Sequence, residues 1–212
     1  MSNKGIQENM SKVLVLAGLP GSGKSVASDI AKSMNIPVII MGNVIRRETA
    51  ERGLEPNSRN IGMVASDLRE KFGDDVVLQR IWPIISQELK NNNLVLIDGM
   101  RSIAERDALV QLMGFEPEIL AILASENIRN SRLIQRKRSD DLDIESTKEN
   151  KKNLKQINKE KNHVISERDA REKGWGVESL LERANYKIDN EDSMELFRIS
   201  VKALLERLNN PD

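Results

Sequence analysis

The sequence predicts an α/β fold in which a five-stranded parallel sheet carries helices on both faces. Five short apolar runs are spread along the chain, and such runs are typical of strands buried in a parallel sheet. Segments with helical spacing separate the runs and are long enough for right-handed crossovers between parallel strands. The five runs are residues 12–17, 36–41, 93–98, 117–124 and 184–189.

Composition restricts the class of protein. The 212 residues suit a single domain with a substantial core, and 33 lysines and arginines balance 33 aspartates and glutamates. No net charge therefore drives the protein onto nucleic acid or an anionic membrane. The chain has no cysteine, which excludes disulfides and thiolate metal sites, and its single His163 lies in a polar stretch and is expected to be solvated.

No apolar run reaches the length that a bilayer span needs. Residues 1–11 lack the apolar core of a signal peptide and are expected to form a flexible tail in front of one domain, residues 12–212. We therefore expect a soluble cytoplasmic protein that is a monomer or a homodimer and has no membrane partner.

The first apolar run leads into "AGLPGSGKS", residues 17–25, which fits the phosphate-binding pattern G-x-x-x-x-G-K-[ST]. Glycines let successive backbone N–H groups surround a phosphate, and the following helix adds its positive N-terminus. A glycine-rich turn with a solvated lysine is the alternative. The apolar run before the loop and the helical spacing of residues 26–34 after it supply the context that the motif requires. The expected nucleotide-binding residues are Gly18, Pro20, Gly21, Ser22, Gly23, Lys24 and Ser25.

A magnesium site is predicted beside this loop. The Ser25 hydroxyl occupies the position that ligates Mg²⁺ in the motif, and Asp98 ends the third apolar run as a Walker B carboxylate does. An aspartate at a strand end is by itself more often a turn former. Together with the loop, Ser25 and Asp98 are the candidate metal ligands.

Arginines also follow the apolar runs, at the sheet edge where ligands bind in α/β proteins. Arg46 follows the second run and Arg101 the third, whereas Arg132, Arg136 and Arg138 follow the fourth. Guanidinium groups suit multiply charged phosphates, and phosphoryl transfer needs cations around the equatorial oxygens. A surface ion pair is the alternative for any single one of them. The placement of the whole set favours a phosphate-transfer site.

Several motifs resemble those of known kinases. "GNVIR" (42–46) and "IDGMR" (97–101) resemble the G-D-M-L-R and L-D-G-F-P-R of adenylate kinases, and "RLIQRKRSDD" (132–141) resembles their lid entry. Residues 184–208 resemble the end of dephospho-coenzyme A kinases. Residues 12–208 as a whole resemble a poorly characterised archaeal family of P-loop proteins related to both kinases. The motifs that carry this likeness are "GLPGSGKS", "MGNVIR", "LREKFG", "DGMRS", "RSDD", "RDARE" and "WGVE".

The resemblance implies a three-layer P-loop NTPase fold of the nucleoside monophosphate kinase type. About residues 42–90 would form a helical acceptor-binding insertion, and about 126–172 a mobile lid. The lid of the family is shorter, so we expect residues 142–165 to contain a charged insertion that departs from the family pattern. A solvated surface, rather than a dedicated binding surface, is favoured for the charged insertion. The implied ligands are ATP, Mg²⁺ and a phosphate-bearing acceptor such as AMP.

The resemblance also implies residue roles. Arg132 would lie on the adenine of ATP and Asn190 would lie near this base, and the acceptor phosphate would contact Arg46 and Arg101 beside Asn43. The catalytic residues would be Lys24, Asp98, Arg136 and Arg138, with Arg168 and Arg171 joining the two lid arginines around the transferring phosphates.

Asn43 departs from the family pattern, which has aspartate at this position. A hydroxyl acceptor needs a carboxylate to take its proton, whereas a phosphate acceptor is already anionic. Asn43 therefore favours a phosphate acceptor, unless Asp98 serves as the base. Two alternatives stay open: phosphorylation of a hydroxyl, as in dephospho-coenzyme A kinases, and a nucleotide-gated switch or RNA-associated ATPase. Arg46 and Arg101 argue against a switch, which needs no second phosphate site.

Overall fold

The predicted apolar runs form one parallel five-stranded sheet, which confirms the predicted fold class. The structure is a computed structural model that describes residues 11–135 and 154–210, with side chains of the second stretch described from residue 163 onward. The strands are β1 (Lys12–Ala17), β2 (Val38–Ile40), β3 (Leu94–Asp98), β4 (Glu118–Leu123) and β5 (Tyr186–Asp189). Their order across the sheet is β2-β3-β1-β4-β5, so β1 lies at the centre.

Helices connect the strands and cover both faces of the sheet. They are α1 (Lys24–Ser33), α2 (Gly42–Glu51), α3 (Ser58–Phe72), α4 (Val76–Leu89), α5 (Ile103–Met113), α6 (Glu126–Gln135), α7 (Leu154–Gly174), α8 (Val177–Glu182) and α9 (Met194–Asn209). Val13 and Val15 of β1 join a core formed with α2 to α5 and α8. Leu14 and Leu16 point to the opposite face and join a second core with α1 and α9. Alternation along the strand thus separates two apolar layers.

The loop after β3 is fixed by the start of α5. Ser102 caps this helix by accepting a hydrogen bond from the Glu105 backbone, and Glu105 accepts from the backbone N–H groups of Ser102 and Arg101 in return. Glu105 is fully buried and forms an ion pair with Arg69 of α3 at 3.0 Å. Burial raises the pKa of Glu105, while Arg69 and the backbone donors of this loop oppose the rise. The backbone of Arg101, just after β3, is therefore held by its hydrogen bond to Glu105 at the start of α5.

The predicted insertions are described in part. Residues 42–90 contain α2, α3 and α4, as the helical pattern predicts, and α6 and most of α7 fall within the predicted lid, residues 126–172. Residues 1–10 and 136–153 lie outside the described residues, together with most of the charged insertion at 142–165. The acceptor-binding and lid functions of these segments stay predictions. In the described part of the chain, no helix has the length and apolar character needed to cross a membrane.

We predict that Leu96→Ala lowers the free energy of unfolding by about 2–5 kcal/mol, because Leu96 is fully buried in β3, beside the central strand, and its loss leaves a cavity. Urea unfolding measures the loss. Leu196→Ala is the matched control, since Leu196 on α9 is 59% exposed and its replacement is expected to change stability by no more than about 0.5 kcal/mol. Equal losses in the two variants would contradict the placement of β3 in the core.

Candidate active site

The phosphate-binding loop connects β1 directly to α1. Gly21 and Gly23 have φ values of +80° and +120°, which L side chains rarely adopt. A Cβ at Gly21 would lie 2.7 Å from the Arg129 carbonyl oxygen, and one at Gly23 would lie 2.3 Å from Nδ2 of Asn190. Both glycines are therefore required by backbone conformation and by the close approach of α6 and of the chain after β5.

Side chains from α6 and from the end of β5 hold the carbonyl groups of this loop. Asn190 Nδ2 donates to the Ser22 carbonyl at 2.7 Å, and Asn190 Oδ1 accepts from Arg132 Nη2 at 3.2 Å. Arg129 Nη1 donates to the Pro20 carbonyl at 3.0 Å. Asn190 is 1% exposed, so its amide shapes the loop in this structure. A contact between Asn190 and a nucleotide base stays a prediction.

Lys24 begins α1 and turns back across the loop. Its Nζ donates to the carbonyl oxygens of Gly18 at 2.5 Å and Leu19 at 3.1 Å. Desolvation in the cleft and the nearby Arg101 lower the pKa of Lys24 to about 8, although the carboxylates of Asp98 and Glu172 oppose this shift. A phosphate in the loop would give the Lys24 ammonium group a stronger acceptor than either carbonyl.

Asp98 and Ser25 border the same cleft and could hold Mg²⁺. The pairing of Leu16 with Asp98 places the carboxylate beside the start of the loop, and Asp98 Oδ2 accepts a hydrogen bond from Ser28 Oγ at 3.0 Å. Ser25 and Ser28 are three residues apart on α1 and therefore lie on the same side of this helix. Magnesium is bound in proteins by one or two oxygen ligands together with phosphates and water. One carboxylate and one hydroxyl fit this requirement, and the ion would supply charge neutralisation for the phosphates.

Two adjoining cavities open at this edge of the sheet. The larger one has a volume of about 740 Å³. Its lining includes most of the site residues that the sequence predicts. They are Pro20, Gly21, Gly23, Lys24, Ser25, Asn43, Arg46, Asp98, Arg101, Arg132, Arg168 and Asn190. The smaller one, about 90 Å³, lies between α2, α3 and the end of α7. Arg46, Arg101 and Arg168 line both cavities, so three guanidinium groups stand at the boundary between them.

The boundary arginines are held by side chains of this chain. Asn43 Oδ1 accepts a hydrogen bond from Arg46 Nη1 at 2.9 Å. Glu172 of α7 reaches Arg101 Nε with Oε2 at 3.0 Å and Arg168 Nε with Oε1 at 3.3 Å. Glu172 is 3% exposed, and although burial alone would raise its pKa, Arg101 and Arg168 hold it below the usual value. Glu172 is therefore an anion between two cations.

The smaller cavity is lined by apolar side chains and by several charged ones. Met41, Ile45, Ile61, Ala65 and Val77 form the apolar part. The Arg69 guanidinium lies 4.2 Å from the centre of the Trp175 ring, and that of Arg171 lies 5.7 Å from it. The Arg171 guanidinium also packs against Gly62. A Cβ at position 62 would lie 2.5 Å from Cζ of Arg171, so the missing side chain makes room for the guanidinium.

Arg136 and Arg138, which the sequence predicts as catalytic, lie outside the described residues. Gly18 and Ser22 complete the loop but do not line the larger cavity. Sequence reasoning assigned no role to six residues that organise the site, although "LREKFG", "RDARE" and "WGVE" contain four of them. The six are Arg69, Glu105, Arg129, Asp169, Glu172 and Trp175. The spacing of Asp169 and Glu172, three residues apart beside predicted phosphate-binding arginines, was the signal available.

We predict that ATP binding weakens by about tenfold between pH 7 and pH 9, because a Lys24 with a pKa of about 8 loses its charge over this range and must regain a proton to contact phosphate. Titration calorimetry in buffers of different ionisation enthalpy measures both the affinity and the proton uptake. Lys24→Arg stays charged throughout and is expected to lack the decline. An unchanged wild-type affinity across this range would contradict the prediction.

The fold has a counterpart among solved structures. The chain superimposes on TT1252 from Thermus thermophilus with a TM-score of 0.58 and 19% sequence identity, covering 94% of this chain and 99% of the other. At this identity the likeness shows the fold alone. Residues 17–149, more than half of the chain, match a protein family described as an AAA domain. This match identifies a nucleotide-binding P-loop domain of the kinase-like type.

Curated relatives come from archaea. The chain is 41% identical over 196 residues to a UPF0200 protein of Methanosarcina acetivorans, with 92% of this chain and 95% of that protein covered. It is 37% identical over 196 residues to a UPF0200 protein of Hyperthermus butylicus, covering 92% and 94%. A UPF0200/UPF0201 protein of Archaeoglobus fulgidus is 36% identical over 197 residues, and the match spans 93% of this chain but 56% of that relative. The chain therefore belongs to the UPF0200 family.

Proposed function

We propose that this protein is an ATP-dependent phosphotransferase that moves the γ-phosphoryl group of ATP to a nucleotide-like acceptor, most simply a nucleoside monophosphate such as AMP. The observation that carries the proposal is the pair of adjoining cavities with three arginines at their boundary. A phosphoryl group passing between a donor and an acceptor carries negative charge at this point, and fixed guanidinium groups stabilise that charge.

The larger cavity has the chemistry of an ATP site. The loop of residues 18–25 offers its glycines and the start of α1 to the phosphates, and Lys24 is within the same cleft. Ser25 and Asp98 would hold Mg²⁺, which would neutralise part of the phosphate charge. Arg132 borders the cleft beside the loop, where it would contact the adenine.

The smaller cavity supports a second substrate. Arg46 and Arg101 line both this cavity and the proposed ATP cavity. An acceptor phosphate bound by these two arginines would therefore face the γ-phosphate. An oxygen of the acceptor phosphate would then attack the γ-phosphorus while the bond to the β,γ-bridging oxygen breaks and ADP leaves. This oxygen is already anionic and needs no general base, so the amide of Asn43 is compatible with the reaction.

Phosphorylation of a hydroxyl is the second candidate function. The position of the Glu172 carboxylate is the observation that favours it. The carboxylate of Glu172 lines the smaller cavity and contacts two of the boundary arginines, whereas Asn43 provides an amide. The acceptor would then resemble dephospho-coenzyme A in carrying both a phosphate and a reactive hydroxyl. A low pKa makes Glu172 a weak base, and this supports the phosphate acceptor as the first choice.

We predict that Arg46→Ala weakens AMP binding about ten- to a hundredfold and leaves ATP binding nearly unchanged, because it removes one charge-assisted contact to the acceptor phosphate. Separate calorimetric titrations with AMP and with a non-hydrolysable ATP analogue make the comparison. Lys24→Ala is the matched control and is expected to show the reverse pattern, with turnover reduced by about a hundredfold or more. Equal effects of Arg46→Ala on the two ligands would contradict the proposed division of the site.

We predict that Asn43→Asp leaves transfer to AMP unchanged or slower. The new carboxylate keeps the contact with Arg46 but repels an anionic acceptor. A hydroxyl acceptor gives the opposite result, since a well-placed base raises the rate by about a hundredfold or more. Initial rates with AMP and with dephospho-coenzyme A decide between the two. A large gain with dephospho-coenzyme A would replace the proposed acceptor with the second candidate.

A further inference from the structure

We infer that Glu172 is a positioning residue that holds Arg101 and Arg168 side by side at the boundary of the two cavities, and that its charge thereby sets the affinity for the acceptor phosphate. The inference rests on the proposed function, since it assigns this phosphate to the site bordered by Arg101. Glu172 approaches each arginine with a different carboxylate oxygen, so one side chain bridges two guanidinium groups.

The contacts use the inner nitrogen of each arginine. Glu172 Oε2 lies 3.0 Å from Arg101 Nε, and Oε1 lies 3.3 Å from Arg168 Nε. The contact with Arg168 is a hydrogen bond, whereas the contact with Arg101 is an ion pair in which Oε2 accepts no hydrogen bond from the described residues. A carboxylate on the Nε side of Arg101 attracts that side of the rigid guanidinium fork and leaves the outer nitrogens on the other side. Among the described residues, Nη1 of Arg101 donates a long hydrogen bond, 3.4 Å, to the Met100 carbonyl. A phosphate can therefore bind the outer edge of Arg101 while Glu172 keeps its place.

Electrostatics explain why an anion is needed here. Lys24, Arg101 and Arg168 are close enough for the two arginines to lower the pKa of Lys24, so these three cations repel one another. Asp98 and Glu172 are the carboxylates that act on Lys24 in the opposite direction. Without the charge of Glu172, Arg101 and Arg168 would lose their common partner, and repulsion would turn these long side chains away from each other. The acceptor phosphate would then meet guanidinium groups that it must first reorient.

Helix α7 supplies a matched control. Ile165 lies seven residues before Glu172 on the same helix, is 3% exposed, and lines neither cavity. Replacing it with alanine leaves a cavity beside α7 and keeps every charge of the site. A general loss of α7 packing would therefore be common to Glu172→Gln and Ile165→Ala, whereas a loss of acceptor affinity would be specific to Glu172.

The experiment compares wild type, Glu172→Gln, Glu172→Asp and Ile165→Ala. Steady-state transfer from ATP-Mg to AMP gives KM and kcat, and titration of the protein loaded with a non-hydrolysable ATP analogue measures the affinity for inorganic phosphate. Thermal unfolding gives Tm for each variant. We expect Glu172→Gln to raise the AMP KM and weaken phosphate binding about tenfold or more. Glu172→Asp, which keeps the charge, recovers most of the loss. Ile165→Ala lowers Tm but changes the AMP KM by no more than about twofold.

Each other outcome overturns the inference. Tighter phosphate binding by Glu172→Gln would mean that Glu172 competes with the acceptor. Equal KM changes in Glu172→Gln and Ile165→Ala would mean that Glu172 only stabilises α7. A loss of transfer to dephospho-coenzyme A with unchanged phosphate binding would make it a general base. The phosphate titration needs no turnover, so a wild-type protein that transfers nothing to AMP would refute the proposed function while the role of Glu172 is still measured.

Discussion

The parallel pairing of the central strand β1 with β3 on one side and β4 on the other is the constraint on which the site depends. Parallel strands end at the same edge, so the loop after β1, Asp98 at the end of β3 and the chain leading to α6 meet there. The pairing of Leu16 with Asp98 fixes the carboxylate beside the phosphate-binding loop. One register shift would move Asp98 to the opposite face and separate it from Ser28 and Ser25.

Buried charge is the second property that shapes this edge. Arg69, Arg101, Arg129 and Arg168 belong to the candidate site and its supporting contacts, and each is paired with a carboxylate of this chain. Burying a lone guanidinium is unfavourable, so these carboxylates make the cationic site compatible with a folded protein before any phosphate enters. The anions come from α5 and α7, which are distant from the loop in sequence. The helices outside the sheet therefore set the charge balance of the site.

The sequence predicted the parts of this site that depend on local spacing. The bounds of β1, the turn with its glycines and the start of α1 follow from residues within one short stretch, and Arg46, Arg101 and Asp98 follow from their places after strands. The carboxylates at Asp169 and Glu172 did not follow, because their partners are 40 and 71 residues away. A polar helix gives no apolar stripe from which its buried face could be identified.

Helix α7 shows the difficulty within one element. His163 and Glu167 form an exposed pair on this helix, as the polar sequence around His163 predicts, whereas Asp169 and Glu172 are buried. Asp169 and Glu172 are one turn apart, yet one reaches the phosphate-binding loop through Arg129 and the other reaches Arg101 after β3. A rigid helix moves both side chains together. Any tilt of α7 therefore changes the contacts of the phosphate-binding loop and of Arg101 at once.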